Sequence, residues 1–114
     1  MKELVILLRK PPLERMFISE MLRMSLGMTL SGNRVKIVLA EEGVFLLQAP
    51  APERIGLSEI HRHVRTLREL GCPFLAEKES MAERSIVETV FPVTRENRRT
   101  LGKILAGSDL VIGC

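Results

Sequence analysis

Two apolar runs of strand length flank one long amphipathic stretch: Leu4–Leu8 precedes Leu13–Leu30, and Val35–Leu39 follows it. The order predicts strand, helix, strand. Two strands joined through a helix are parallel, and the crossover is right-handed. In open parallel sheets, ligands and chemistry collect just beyond the carboxyl ends of the strands. The residues that follow each apolar run are therefore where a site is expected.

Punctuation along the rest of the chain extends the pattern. Pro11 and Pro12 stop the first strand, and Pro12 suits a helix's first turn, where a missing N–H is no loss. Gly32-Asn33 supplies a left-handed stop before the second strand, which begins at Val35 and ends at Glu41, Glu42 and Gly43. A turn at Val44–Gln48 and a proline-containing loop (Ala49–Glu53) lead to a helix over Leu57–Leu70. In that helix Leu57, Ile60, Val64 and Leu67 recur at helical spacing, with Ser58 as cap and Gly71 as stop. Cys72–Ala76 reads as strand three, and Ser80 with Glu83 has the spacing of a capping box for a short helix. Ile86–Val90 alternates as a fourth strand should, Thr94 caps a basic helix ending near Gly107, and Asp109–Ile112 gives a fifth strand. The expected fold is α/β: one domain over residues 1–114 with a mostly parallel five-stranded sheet, helices on both faces, and the flavodoxin-like strand order 2-1-3-4-5.

Composition excludes more than it selects. At 114 residues and 46% hydrophobic content, the chain can bury one core without dividing into two. The net charge is +3, yet residues 1–57 hold eight Lys/Arg against six acids and residues 58–114 hold nine against eight, so no basic arm stands out. With no Trp or Tyr and four Phe, a base-stacking surface is poorly supplied, and nucleic acid is not the expected partner. The first apolar run is too short for a membrane span and lacks the length of a secretory signal, which points to a cytoplasmic protein with no membrane partner. Two cysteines, Cys72 and Cys114, make no disulfide framework and have no zinc spacing with His61 or His63, so neither metal nor cofactor is expected. The two histidines lie two residues apart in HRHVR. On a helix that is about 200° of rotation, too far to share a ligand, and both are expected on the surface.

Four stretches together carry a resemblance. VLAEEGVFLLQ resembles the strand-two signature of the DsrE/DsrF/DsrH-like sulfur-relay family, in which an apolar strand ends in an acidic-Gly-Val turn. LRELGCPFLAEKESMAERSI is similar to that family's helix, glycine, strand three and short helix; IVETVFPV to its fourth strand; and LAGSDLVIGC to its closing helix and strand. The resemblance implies a DsrE-like α/β fold that assembles into trimers, hexamers or mixed hexamers with related subunits and other sulfur-relay proteins. In active members it also implies a cysteine persulfide carried immediately after strand three. Alignment through Gly71, Pro73, Ser80 and Arg84 puts Glu77 at that place, and a carboxylate cannot carry a persulfide.

The other candidate residues each admit a simpler role beside a functional one. Cys72, at the entrance to strand three, lies on the opposite edge and is expected to be buried and inert. Cys114 ends the fifth strand; with order 2-1-3-4-5 it emerges two strand spacings from Glu77, about 10 Å. It is the candidate sulfur acceptor if it is more than a frayed terminus. Arg9, Lys10 and Lys78 offer cations to a small anion at this edge, while Glu41, Glu42 and Glu77 oppose them. Glu41 and Glu42 point to opposite faces at a strand end, so solvated loop acids are expected rather than a metal site, and Gly43 is expected to serve backbone geometry. The methionines at 16, 21, 24 and 28, with Phe17, Leu22 and Leu26, make the first helix apolar over an arc too wide for one sheet face, and part of that arc is expected to meet another subunit. Three readings follow: an oligomeric sulfur-relay subunit without the carrier cysteine, a persulfide carrier using Cys114, or a small-anion-binding α/β protein.

Overall fold

The computed structural model describes residues 2–11, 15–48 and 57–113, and the side chains of residues 15, 16, 57 and 58 are not among those described. Five strands form one sheet: β1 (Glu3–Leu8), β2 (Arg34–Leu39), β3 (Phe74–Glu77), β4 (Thr94–Glu96) and β5 (Leu110–Gly113). Four helices connect them: α1 (Arg15–Leu30), α2 (Leu57–Glu69), α3 (Lys78–Glu83) and α4 (Arg98–Ala106). A 3-10 helix, Glu41–Leu47, follows β2 where a simple turn was expected. Every pairing is parallel. Pro12 with its expected first-turn role, the start of the first helix at Leu13, the Ala49–Glu53 loop and Cys114 fall outside the described residues, as does the Ser58 side chain expected to cap the second helix.

The strand order is β4-β3-β2-β1-β5, which corrects the expected order 2-1-3-4-5. Strand-helix alternation demands parallel neighbours but does not say which side of β1 each later strand takes. Right-handed crossovers then dictate the layers. The steps β1 to β2, β2 to β3 and β3 to β4 all run the same way across the sheet, so α1, α2 and α3 fall on one face. The step β4 to β5 runs back across the whole sheet and puts α4 on the other. The two apolar clusters match this division. Leu4, Ile6 and Leu8 of β1 join Ile37 and Leu39 of β2, Ile18 and Leu22 of α1, and Ile60, Val64 and Leu67 of α2 in the larger one. Val5, Val38 and Leu75, on the alternate strand positions, meet Leu101 of α4 in the smaller. Sheet residues buried from both sides explain why β1 reads as an unbroken apolar run and β2 as one interrupted only by the half-buried Lys36.

Left-handed backbone appears at Gly32 (φ 92°) and Gly71 (φ 84°), the two expected helix stops. Asp109 fixes the far edge: its Oδ2 accepts from the Glu3 N–H at 2.7 Å and its own N–H donates to the Glu3 carbonyl at 2.8 Å. No helix among the described residues is long and apolar enough to cross a membrane.

Four local expectations are corrected. Ile86–Val90 is not a strand. Ile86 is buried and donates its N–H back to the Met81 carbonyl, Val87 is 71% exposed, and the Val90 N–H reaches the Leu47 carbonyl, so the segment wraps the sheet's rim instead of joining it. The fourth strand is Thr94–Glu96, and the cap of α4 is Asn97, whose Oδ1 accepts from the Thr100 N–H at 2.8 Å; Thr94 caps nothing. Ser80 sits inside α3, because β3 runs on to Glu77, which takes the N-cap position. His61 and His63 are half-buried: the His61 ring meets Phe91 edge-on at 6.4 Å, and the His63 Nε2 lies 3.9 Å from a Glu59 carboxylate oxygen.

Candidate functional site at the carboxyl edge

Because all five strands are parallel, their carboxyl ends share one edge, and the residues beyond Leu8, Leu39, Glu77, Glu96 and Gly113 leave the sheet together. The connection after β3 turns to the α1/α2 face, whereas that after β4 turns to the α4 face. The two chain paths diverge between neighbouring strands there, which is the place where open α/β sheets form a crevice. Glu77 and Arg98 stand on its two sides.

Glu77 is 8% exposed, an unusual burial for a carboxylate, and its partners account for it. Its Oε1 accepts from the Arg98 Nη2 at 2.9 Å, from the Arg98 Nε at 3.2 Å and from the Ser80 hydroxyl at 2.6 Å. The Ser80 oxygen accepts in turn from the Glu41 N–H at 2.8 Å. Glu79 completes the set, with both carboxylate oxygens receiving the Arg98 N–H, at 2.9 and 3.0 Å, at the start of α4. One network thus ties the end of β2, the end of β3, α3 and the start of α4. Burial alone pushes the Glu77 carboxyl up; the Arg98 and Ser80 hydrogen bonds and the Arg98 and Arg84 charges outweigh it and hold the group below its ordinary range. Glu77 is therefore ionised at neutral pH and locked, which suits a structural acceptor and not a proton shuttle.

The other residues of the edge divide by role. Glu41 adopts a left-handed φ of 52° at the start of the 3-10 helix, and it and Glu42 are exposed on that helix, not at a strand end as expected. Gly43 is buried because a side chain has no room there: an added Cβ would lie 2.0 Å from the Leu8 carbonyl oxygen, a backbone atom that cannot give way. Arg9, Lys10 and Lys78 are exposed. The first two leave β1 and the third leaves β3, with β2 between, so they start about two strand spacings, roughly 10 Å, apart. Arg98 and Glu79 were not singled out by sequence reasoning, and Ser80 was expected only as a helix cap. Arg98 meets Glu79 and Glu77 across 19 and 21 residues, and Ser80 meets Glu41 across 39, separations that leave no local spacing to find. The described residues hold no group of three or more His, Cys, Asp or Glu placed to bind a metal ion.

Cys72 lies at the opposite edge, 5% exposed, with its thiol donating to the Val35 carbonyl at 2.9 Å. Burial pushes its pKa up to about 11. Such a thiol is protonated and shielded at neutral pH, so it is a poor nucleophile. The corrected strand order also changes the distance expected between the ends of β3 and β5: β2 and β1 intervene, so three spacings separate them, about 14 Å.

The model of the DsrE/DsrF-like family matches residues 2–112. No curated protein matches the sequence. Among solved structures, the fold is similar to that of the YchN protein of E. coli, with a TM-score of 0.80 and 19% identity. It is also similar to the protein of unknown function MTH1491 from Methanobacterium thermoautotrophicum, with a TM-score of 0.71 and 14% identity. Each likeness covers 100% of both chains. At these identities the likeness is one of fold.

Proposed function

Because the chain belongs to the DsrE/DsrF-like family, we propose that it serves a cytoplasmic sulfur-relay system as an oligomeric subunit that carries no sulfur itself. The observation that carries this reading is Glu77. The resemblance in sequence puts the carrier cysteine of active members just after strand three, and here the last residue of β3 is a carboxylate bound by Arg98 and Ser80. A carboxylate has no sulfur to extend, and Arg98 and Ser80 both hold it through Oε1. Cys72 offers no substitute, being buried at the other edge with its pKa raised to about 11.

Oligomerisation is supported by α1. Ile18, Met21 and Leu22 bury one side of the helix, whereas Phe17 is 46%, Met24 37% and Leu30 69% exposed. Phe17 and Met24 are seven residues apart and share one stripe, the arrangement a second subunit would cover. That partner is a second copy or a related, cysteine-bearing chain.

The deciding experiment is sulfur loading. The protein is incubated with polysulfide, or with a cysteine desulfurase already carrying a persulfide, and its intact mass is measured. Little or no addition of one sulfur atom is expected, and none at Cys72. Stoichiometric addition that disappears in Cys114→Ser overturns the non-carrier reading in favour of a carrier that uses its terminal thiol.

A further inference from the structure

At the amino edge of the sheet, away from the site just described, a groove of about 330 Å³ opens between the end of α2 and the segment leading into β4. Its lining includes Pro73, Phe74 and Val93, with Pro92 and Thr94 on the β4 side and Arg68 on the α2 side. Apolar and polar surface line it in about equal parts, with a single guanidinium at one side; apolar area beside a few polar groups is what a recognition groove needs.

The helix beside it is charged in an unusual way. His61, Arg65 and Arg68 recur at i, i+4 and i+7, one stripe of α2. The contact between the His61 and Phe91 rings turns that stripe toward the 91–94 segment, so Arg65 follows Arg68 along the groove's flank. Arg62 is exposed next to the stripe. Arg23, Arg34, Arg84 and Arg98 each hold a carboxylate, but among the described residues Arg62, Arg65 and Arg68 hold none. The Glu59 carboxylate lies 3.9 Å from His63, and Glu69, one turn beyond Arg65 on the same side of the helix, forms no ion pair with any of the three.

We propose that this face docks an extended acidic segment of a partner protein, its carboxylates on Arg62, Arg65 and Arg68 and one apolar side chain in the groove. The size of the feature selects a peptide over a small anion. Arg62 to Arg68 covers about 9 Å of helix, the reach of roughly three extended residues. Guanidinium groups pair carboxylates through two parallel hydrogen bonds, and the apolar part of the adjoining groove, at Pro73, Phe74 and Val93, gives such a segment an anchor. Nucleic acid fits less well, because Phe74 and Phe91 are buried and present no ring for a base to stack on. The inference stands apart from the sulfur chemistry, so its failure leaves the loading result untouched.

The test is fluorescence anisotropy of the full chain with a fluorescein-labelled, capped Glu-Asp-Leu-Asp-Glu peptide. Saturable binding is expected, weakening as salt shortens the screening length from about 10 Å at 0.1 M to about 3 Å at 1 M. Arg65→Glu with Arg68→Glu should weaken it at least about tenfold, since reversed charges repel the ligand. Replacing the peptide's leucine by serine should also weaken it, whereas Arg99→Glu on α4 should leave it unchanged. Thermal melts establish that the exposed substitutions keep the fold. Absence of saturable binding, or equal affinity for the doubly reversed variant, overturns the proposal. So does tighter binding of a single-stranded oligothymidylate to the same arginines. A fall in oligomer mass on reversing Arg65 and Arg68 also overturns it, because the face would then belong to a second copy.

Discussion

Glu77 gathers the polar contacts of the carboxyl edge on one carboxylate. Replacing it by glutamine keeps the shape but removes the charge that Arg98 faces. Arg98 is 62% exposed, so water screens much of the loss, and Glu77→Gln should cost about 1–2 kcal/mol rather than the larger penalty of a fully buried pair. The pH dependence follows from the lowered pKa. A carboxylate more acidic when folded than when unfolded adds stability above its unfolded value, near 4.5, and loses that contribution as pH falls through its folded value. The difference in melting temperature between the native chain and Glu77→Gln should therefore be steady from pH 8 to about pH 5 and shrink below about pH 4. A difference that grows on acidification would contradict the assignment. Glu77→Cys tests the same spot from the other side. A thiol set beside Arg98 should ionise more readily than Cys72, so alkylation by iodoacetamide at pH 7 should label the new cysteine well before Cys72. Equal rates would show that Arg98 does not reach the position.

Elements were legible in the sequence where one face of the pattern met one face of the fold. Leu4–Leu8, Val35–Leu39, Ile60/Val64/Leu67 and the stops at Gly32 and Gly71 all lie where the spacing put them, because each is a local demand of burial or of backbone sign. β4 was not legible. Thr94, Arg95 and Glu96 form a three-residue edge strand with little buried surface, so it has no apolar alternation to show, while Ile86–Val90 alternates for another reason: Ile86 is tucked under α3 and its neighbours face water. The Glu77–Arg98 pair was hidden because only the adjacency of β3 and β4 creates it. β5 presents a test at this scale. Its pattern is largely exposed, so much of its hold on β1 is polar, through Asp109 and Glu3. Asp109→Ala should destabilise by about 1 kcal/mol and should raise amide hydrogen exchange across Leu110–Ile112 while leaving β2 and β3 protected. Uniform loss of protection would mean that β5 is not a separable edge.

On the scale of the whole molecule, one face of the sheet carries two long helices and the other carries one of nine residues. The outer surface of α1 retains Phe17 and Met24 as exposed apolar groups. Light scattering on a sizing column should give a multiple of 12.8 kDa at micromolar concentration, and Phe17→Ser with Met24→Ser should lower that mass without lowering the melting temperature of the subunit. A native chain that elutes as a clean monomer rules out self-assembly through α1.

The last feature is one of timing. The strand that closes the free side of β1 lies at the other end of the chain: the Glu3 N–H and the Asp109 carboxylate that join them are 106 positions apart. At about 5–20 residues per second, a ribosome releases β1 roughly 5–20 s before it makes β5. Throughout that interval β1 can pair with β2, but its other side exposes main-chain donors and acceptors beside Leu4, Ile6 and Leu8, an adhesive border on a nascent chain. A trailing nascent copy thus has an opportunity to take β5 from a copy ahead of it that has already made the strand.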